Sequence, residues 1–589
     1  MFLHTVQILK DAQFGRLSLY GSRSLAAGVL WAASCLLPLH SLPWVSFYGE
    51  ALAFLAVLLL AWAAVLRPDG HDAVRGFSVP AFALPFMAAA ILAIGQLAVG
   101  SIEFAGDAFV LVIYLFVCVV SLMLGFAALA GHGAEKDSRH QQRHESPLKL
   151  LASMVLLVSC ASAVIAIAQV LEVWEHSIWI NSMPFMRRPG ANLGQPNHLA
   201  TLLLMGMASL LALYEFKKLH LPATALIFLI LSLALAVTES RTGLLSLLLL
   251  SVWWGAKRRV IGFRLSSAMA AIALVVTVGL FLSWPSIFDV VKISDVAAEL
   301  NTQSGSRFAI WSQLLEAVSG APWLGWGFNQ VPKAHNAVAH SYVVSEAFLY
   351  SHNLLLDLAL GMGVPLAVMA GLGAAIWLWR RLQATADFLP WYCIALVLPF
   401  AVHSMLEFPF AYAYFLVPVM FALGILESIL SKRRGFQISL FHARVFLAAI
   451  SAVAVWAAVE YVAIEEDFRV ARFEALRIGK TPEDYRRPNI VLLTQLDALM
   501  NGARIVPRPG MSTEELDLAR KVALRYPWSA TQNRYALSLA LNGNSAEAVR
   551  QLRIIRAMHG ERPFKSISAN WRELAEDKYP QLHGIDIPR

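Results

Sequence analysis

The sequence predicts an all-α, polytopic membrane protein of about thirteen transmembrane helices, followed by a C-terminal helical domain. Three observations carry this. Of 589 residues, 58% are hydrophobic and 15% charged, with a mean hydropathy of +0.60; a soluble domain carries roughly a quarter charged residues. Apolar stretches of about 20 residues, enough to cross a bilayer, recur in series, as in Phe47–Leu66, Phe104–Leu129, Leu148–Val173 and Ala268–Trp284. Lysine and arginine collect on alternate loops, which orients a membrane protein.

The spans are expected near 24–41, 47–66, 80–99, 104–130, 148–173, 193–214, 221–237, 241–256, 267–285, 351–378, 388–404, 411–430 and 443–463. With the N-terminus in the cytoplasm, the cytoplasmic segments hold the basic clusters around Lys10–Arg23, Arg67–Arg75, Lys136–Lys149, Lys217–Lys218, Lys257–Arg264, Arg380–Arg381 and Lys432–Arg444. The opposite loops hold Arg187, Arg188, Arg241, Lys292, Arg307 and Lys333. An odd number of spans places the tail outside. The N-terminal MFLHTVQILKDAQFGR has no small-residue cleavage site after an apolar core, so no cleaved signal is expected. Cys35, Cys118, Cys160 and Cys393 all fall in apolar spans and suit neither disulfides nor a metal site. The net charge of +8 is accounted for by orienting residues, and no nucleic-acid partner is expected.

The expected division is a transmembrane domain over 1–463, with an external loop at about 285–351, and an external helical domain over 464–589. In that tail, Tyr535–Gly560 reads helix, Gly-Asn turn, helix, with Ala536 and Ala540 small enough for close packing. It resembles a single tetratricopeptide-type hairpin; any small helical domain fits as well.

The spans are poor in charge, and polar chemistry gathers at their external ends. The densest cluster is MRRPGANLGQPNHLA (Met186–Ala200). Pro196 suits the first turn of a helix. Backbone donors there, with Arg187 and Arg188, suit an anion; an interfacial loop on lipid headgroups is the alternative. In TESRTG, Glu239 and Arg241 stand at the mouth of a span, as site residues or as a structural pair. Arg307 precedes an amphipathic segment (Phe308, Trp311, Leu314, Leu315, Val318) expected on the membrane interface. His352 caps an external span end beside Asn353, and imidazole is a good base near neutral pH. His403 and Glu407 share a face if helical, and Tyr412 and Tyr414 form an aromatic belt or line a site. No P-loop and no metal-spaced cluster appears, so neither nucleotide nor metal nor other cofactor is expected.

Taken in order, NLGQPNHLA (Asn192–Ala200), ESRTGLL (Glu239–Leu245), SRFAIW (Ser306–Trp311), PWLGWGFNQ (Pro322–Gln330), SHNLLLDLALGMGVPL (Ser351–Leu366) and HSMLEFPFAYAYFLVP (His403–Pro418) resemble the O-antigen ligase/polymerase superfamily, most of all its bacterial protein O-oligosaccharyltransferases (pilin glycosylation ligases). The resemblance implies a multi-pass protein of the bacterial inner membrane with a periplasmic tail. It implies a metal-independent, inverting glycosyltransferase that moves a glycan from undecaprenyl diphosphate to a Ser or Thr hydroxyl of an acceptor protein such as a pilin. By that resemblance His352 is the essential histidine and Arg241 and Arg307 contact the diphosphate. Further site candidates are Arg188, Gln195, Asn197, His198, Asn353, His403, Glu407, Tyr412 and Tyr414, with Phe408 standing where the resemblance implies a tyrosine. Transfer to a lipid A core, or polymerisation of O-antigen, would use the same residues. A polyprenyl-lipid flippase is the reading from another class, and the one-sided polar clustering argues against it.

Overall fold

The computed structural model describes residues 19–66, 76–129, 138–173, 177–182, 188–291, 305–431 and 435–588. Of the expected loop charges, those in 1–18, 67–75, 130–137 and 432–434, with Arg187 and Lys292, lie outside the described residues. The chain forms two compact units: 1–87, 114–301 and 377–452 make the first, and 88–113, 302–376 and 453–589 the second.

The elements run α1 (Leu19–Leu36), α2 (Phe47–Val65), β1 (Gly76–Val79), α3 (Leu84–Ala98), α4 (Ala105–Leu129), α5 (Ser138–Val170), α6 (Pro196–Glu215), α7 (Leu221–Val237), α8 (Arg241–Ile261) and α9 (Ser267–Val291). There follow α10 (Gly305–Gly320), α11 (Val331–Ala339), α12 (Leu354–Met362), α13 (Val364–Ala384), α14 (Phe388–Ser404), α15 (Ala413–Leu430), β2 (Phe436–Ser439) and α16 (Leu440–Leu476). The tail adds α17 (Thr494–Ala503), α18 (Thr513–Arg525), α19 (Ser529–Leu541), α20 (Ser545–His559) and α21 (Glu561–Asp577).

Among the described residues, eight helices are long and apolar enough to cross a membrane: α2, α3 with its preceding turn, α4, α5, α6, α9, α15 and α16. The shorter α7 and α14 are also apolar. The other expected spans fall on α1, α8 and the α12–α13 pair. The protein is a multi-pass membrane protein.

In the first unit, α6 is the buried centre, with 89% of its apolar 18-residue window buried, packed against α5, α7, α8 and α14. By contrast 6% of the corresponding window of α9 is buried, and Ile272, Val275 and Leu282 stand exposed on it. Apolar surface of that extent is at home in lipid. Where α4 crosses α15 the backbones nearly touch. A Cβ at Gly125 would lie 2.0 Å from the Phe421 carbonyl, and one at Gly424 2.1 Å from that of Leu122. Small residues permit such approaches between membrane helices. The strand pair is an element the helical pattern did not announce: β1 runs antiparallel to β2, Gly76 opposite Ser439 and Val79 opposite Phe436.

The second unit departs from expectation in three places. The tenth span, expected as one helix over 351–378, is broken between α12 and α13 at Gly363, whose φ is +82°. The segment Pro322–Trp326 fills the break: Val364 N–H donates to the Pro322 carbonyl at 2.8 Å, and Trp326 N–H to that of Leu360 at 2.6 Å. The buried face of α10 is Ile310, Leu314 and Ala317, packed with Val331, Ala334, Phe348, Leu356 and Leu360, whereas Phe308 and Leu315 are exposed. The expected apolar stripe is thus split between a protein core and an open face. Finally, α16 continues past 463 to Leu476.

The tail stacks as helical hairpins. As expected, α19 and α20 are joined through Asn542, Gly543 (φ +83°) and Asn544, with Ala536 and Ala540 buried. Ser512 and Glu515 form a reciprocal capping box on α18. The tail is anchored to the start of α4 by a bidentate ion pair, Arg525 to Asp107 at 2.8–2.9 Å. Glu103 joins Lys333 at 2.6 Å and Arg520 at 3.4 Å. Burial opposes ionisation of Glu103, yet these two cations outweigh it and hold its carboxyl below the usual range. Gln551 and Asn336 exchange amide hydrogen bonds at 3.2 and 3.3 Å.

Candidate functional site

Three motifs distant in sequence meet in the first unit. The turn before α6 is a tight loop: Ala191 and Gly194 have φ of +48° and +72°, and Pro196 occupies the first helical turn as expected. Asn192 anchors it, donating to the carbonyls of Leu36 (2.7 Å) and Trp179 (2.8 Å) and accepting from Asn181 N–H (3.1 Å). Its place in the motif is therefore structural.

The loop delivers Gln195 and Asn197 to a buried carboxylate, Glu407. Gln195 Nε2 donates to Glu407 Oε2 at 2.6 Å and Asn197 Nδ2 to Oε1 at 2.5 Å. His403 Nε2 lies 3.2 Å from Oε2, and its Nδ1 is 2.8 Å from Thr201 Oγ1. The expected shared face of His403 and Glu407 is present, although α14 ends at Ser404. One further turn, Glu407 N–H to the His403 carbonyl at 2.8 Å, keeps the spacing.

The TESRTG turn closes the cluster. Ser240 caps α8, accepting from Gly243 N–H at 3.0 Å, and its hydroxyl donates to Asn197 Oδ1 at 2.6 Å. Arg188 donates from Nε to the Thr238 carbonyl at 2.8 Å and from a terminal nitrogen to Asn197 Oδ1 at 3.4 Å. Arg241 follows as the first residue of α8 and is exposed, and Glu239 before it has a φ of +48°. A left-handed φ on a non-glycine residue marks a held conformation. Tyr412 and Tyr414 line the cluster. His198 Nδ1 is 2.8 Å from the Tyr414 hydroxyl, and the Tyr412 ring stands edge-on to His198 at 4.5 Å.

His352, Asn353 and Arg307 belong to the second unit. His352 has a φ of +59° and is held on both sides. Ser351 N–H donates to Asp357 Oδ1 at 2.8 Å, Trp311 Nε1 to the Ser351 carbonyl at 2.9 Å, and Asn353 N–H to Ser351 Oγ at 3.2 Å. Asn353 itself caps α12 through Leu356 N–H at 3.1 Å. Arg307 lies inside the first turn of α10 rather than before it. Sequence reasoning missed Trp311, Ser351 and Asp357 as the frame of His352, and Thr201 and Ser240 as partners in the Glu407 cluster. The available signal was an acidic residue four positions past an Asn cap in SHNLLLD.

Known proteins resemble the chain across these same segments. A family model described as O-Antigen ligase matches residues 226–371, and one described as Protein glycosylation ligase matches 189–214, the loop and turn that feed Glu407. A third, described as Virulence factor membrane-bound polymerase, C-terminal, matches 391–573. The general O-oligosaccharyltransferase of Acinetobacter baylyi is 25% identical over 563 residues, covering 91% of this chain and 92% of that protein. Residues 226–371 are thus similar to the O-antigen ligases, and the chain is homologous to O-oligosaccharyltransferases over most of its length. The ComP-specific O-oligosaccharyltransferase of the same organism is 31% identical over 342 residues, covering 56% of this chain and 58% of that protein. The O-antigen ligase match spans the TESRTG turn, Arg307 and His352; the Glu407 motif lies beyond it, within the polymerase match.

Proposed function

We propose that this chain is an O-oligosaccharyltransferase of the bacterial inner membrane, moving a glycan en bloc from undecaprenyl diphosphate to Ser or Thr hydroxyls of an acceptor protein such as a pilin. The observation that carries it is the likeness to the general O-oligosaccharyltransferase over 91% of the chain, tail included. The N-terminus is cytoplasmic, and the 464–589 domain is periplasmic and accessory. In this reading Arg241 and Arg307 meet the diphosphate, since guanidinium forks match phosphate oxygens. His352 takes the acceptor proton as the hydroxyl oxygen attacks the anomeric carbon. The bond from that carbon to the diphosphate oxygen breaks, and undecaprenyl diphosphate leaves with the electron pair. A single displacement inverts the anomeric configuration.

The test is reconstitution of purified full-length protein with lipid-linked oligosaccharide and a Ser/Thr-rich acceptor, read by intact mass. His352→Ala should lose about 10²–10⁴ in transfer while still binding donor. Arg241→Ala and Arg307→Ala should weaken donor binding as well as rate, and Arg→Lys should rescue only partly. Glycan found on lipid A core or on a second glycan, with none on protein, would favour the ligase or polymerase reading, which the O-Antigen ligase and polymerase matches also support. Glycolipid translocation without transfer would favour a flippase.

A further inference from the structure

We propose that Glu407 is a positioning residue for donor recognition: it fixes the Gln195 carboxamide so that Oε1 accepts a hydrogen bond from a hydroxyl or amide N–H of the donor's first sugar. The proposal rests on the oligosaccharyltransferase reading and adds a sugar contact to it. Both oxygens of Glu407 accept, so each amide turns its NH2 edge toward them. Reversing Gln195 would set two oxygens 2.6 Å apart, and reversing Asn197 would set two 2.5 Å apart. Glu407 therefore decides which way both amides face.

The two amides then differ. The Asn197 carbonyl is satisfied inside the protein, by Ser240 Oγ at 2.6 Å and Arg188 at 3.4 Å. The Gln195 carbonyl is not: Oε1 is buried and meets no hydrogen-bond donor among the described residues. A buried acceptor without a donor is costly, and native structures seldom keep one without use. The chemistry of the missing partner follows. It must donate, so it is not a diphosphate oxygen, which only accepts. Arg241, which meets the diphosphate in that reading, directly follows Ser240, the donor to Asn197, and the group next to a diphosphate in a lipid-linked glycan is its first sugar. Two functions are thus separated: a guanidinium for the phosphates, one oriented amide carbonyl for the sugar.

The experiment compares binding of two probes to full-length protein in nanodiscs: undecaprenyl diphosphate, and the same lipid carrying one N-acetylhexosamine. Wild-type protein should bind the sugar-bearing probe roughly tenfold more tightly. Gln195→Ala and Glu407→Gln should both erase that advantage and leave affinity for the bare diphosphate unchanged. Glu407→Asp should restore part of it, and the double variant should be no worse than Gln195→Ala alone, because Glu407 acts through Gln195. Glu407→Gln is isosteric, and Gln195→Ala leaves the carboxylate in place, so one of the pair remains informative if the other fails to fold. Equal losses for both probes, additive losses in the double variant, or an undiminished sugar advantage in Glu407→Gln would each overturn the proposal. A wild-type protein that shows the sugar advantage yet transfers nothing to an acceptor would instead overturn the transferase reading.

Discussion

Replacing Asp107 by alanine should undock the tail from the start of α4. Asp107 is 2% exposed and receives Arg525 through both carboxylate oxygens at 2.8–2.9 Å. Burial works against the Arg525 charge, but the Asp107 carboxylate more than offsets it and raises the guanidinium pKa. Opposite charges about 4 Å apart attract by about 4 kcal/mol at an effective dielectric constant near 20. Removing one member of a buried pair costs about 3–5 kcal/mol, because the other charge stays buried and unmet. Hydrogen exchange of the α18 amides, measured in nanodiscs, should quicken by roughly 10²- to 10⁴-fold, since each 1.36 kcal/mol is a factor of ten. The double replacement Asp107→Leu with Arg525→Leu should exchange more slowly than Asp107→Ala, as apolar side chains of similar bulk remove the stranded charge. A double variant that exchanges faster than the single one would refute the reasoning, and so would an Asp107→Ala protein with unchanged protection.

The remaining predictions rest on single sites. His335 is buried, stacked on Phe348, and 2.9 Å from both Gln313 Oε1 and Ser345 Oγ. Burial lowers its pKa to about 4, so between that value and about 6.5 only the unfolded chain takes the proton. Its contribution is therefore complete above about pH 6.5 and lost as pH falls toward 4, about 3 kcal/mol in all; His335→Gln should flatten this part of a stability–pH curve. Replacing Cys35, Cys118, Cys160 and Cys393 together by alanine should leave transfer largely intact, since all four are unbridged and buried or half-buried among apolar side chains; abolished transfer in a folded variant would reveal a role for a thiol. A topology reporter inserted at Lys480, in the exposed turn after α16, should be active only in the periplasm; activity in the cytoplasm would invert the orientation.

The helices were legible because their composition is nearly all the information a bilayer-spanning helix needs. The candidate site was legible as a set of polar motifs at span ends, but not as a cluster. Gln195 and Glu407 are 212 residues apart, and nothing in either motif names the other. The pairing depends on how α6 and α14 pack, which hydropathy does not encode. The break at Gly363 was hidden for a related reason. Gly361-Met-Gly-Val-Pro is tolerable inside a membrane helix, and only the Pro322–Trp326 crossing makes the interruption necessary. The core side of α10 was not legible because Phe308 and Leu315 are as apolar as Ile310 and Leu314. A hydrophobic stripe states that burial is favourable without saying whether lipid or protein will provide it.

The strand pair bears on the order in which the first unit is built. Gly76 of β1 waits for Ser439 of β2. Trp31 on α1 donates to the Tyr414 carbonyl, 383 residues onward, and the Glu50 carboxylate on α2 accepts from Ala413 N–H, 363 residues onward. During synthesis from the N-terminus the earliest helices enter the membrane long before these partners exist. At roughly 5–20 residues per second, the wait is tens of seconds to more than a minute. Throughout it Glu50 and the Trp31 indole must be satisfied by water, lipid headgroups or the insertion machinery. Biogenesis of the first unit therefore ends with its oldest and youngest segments joining, and the yield of inserted protein should be most sensitive to substitutions where those two generations of chain meet.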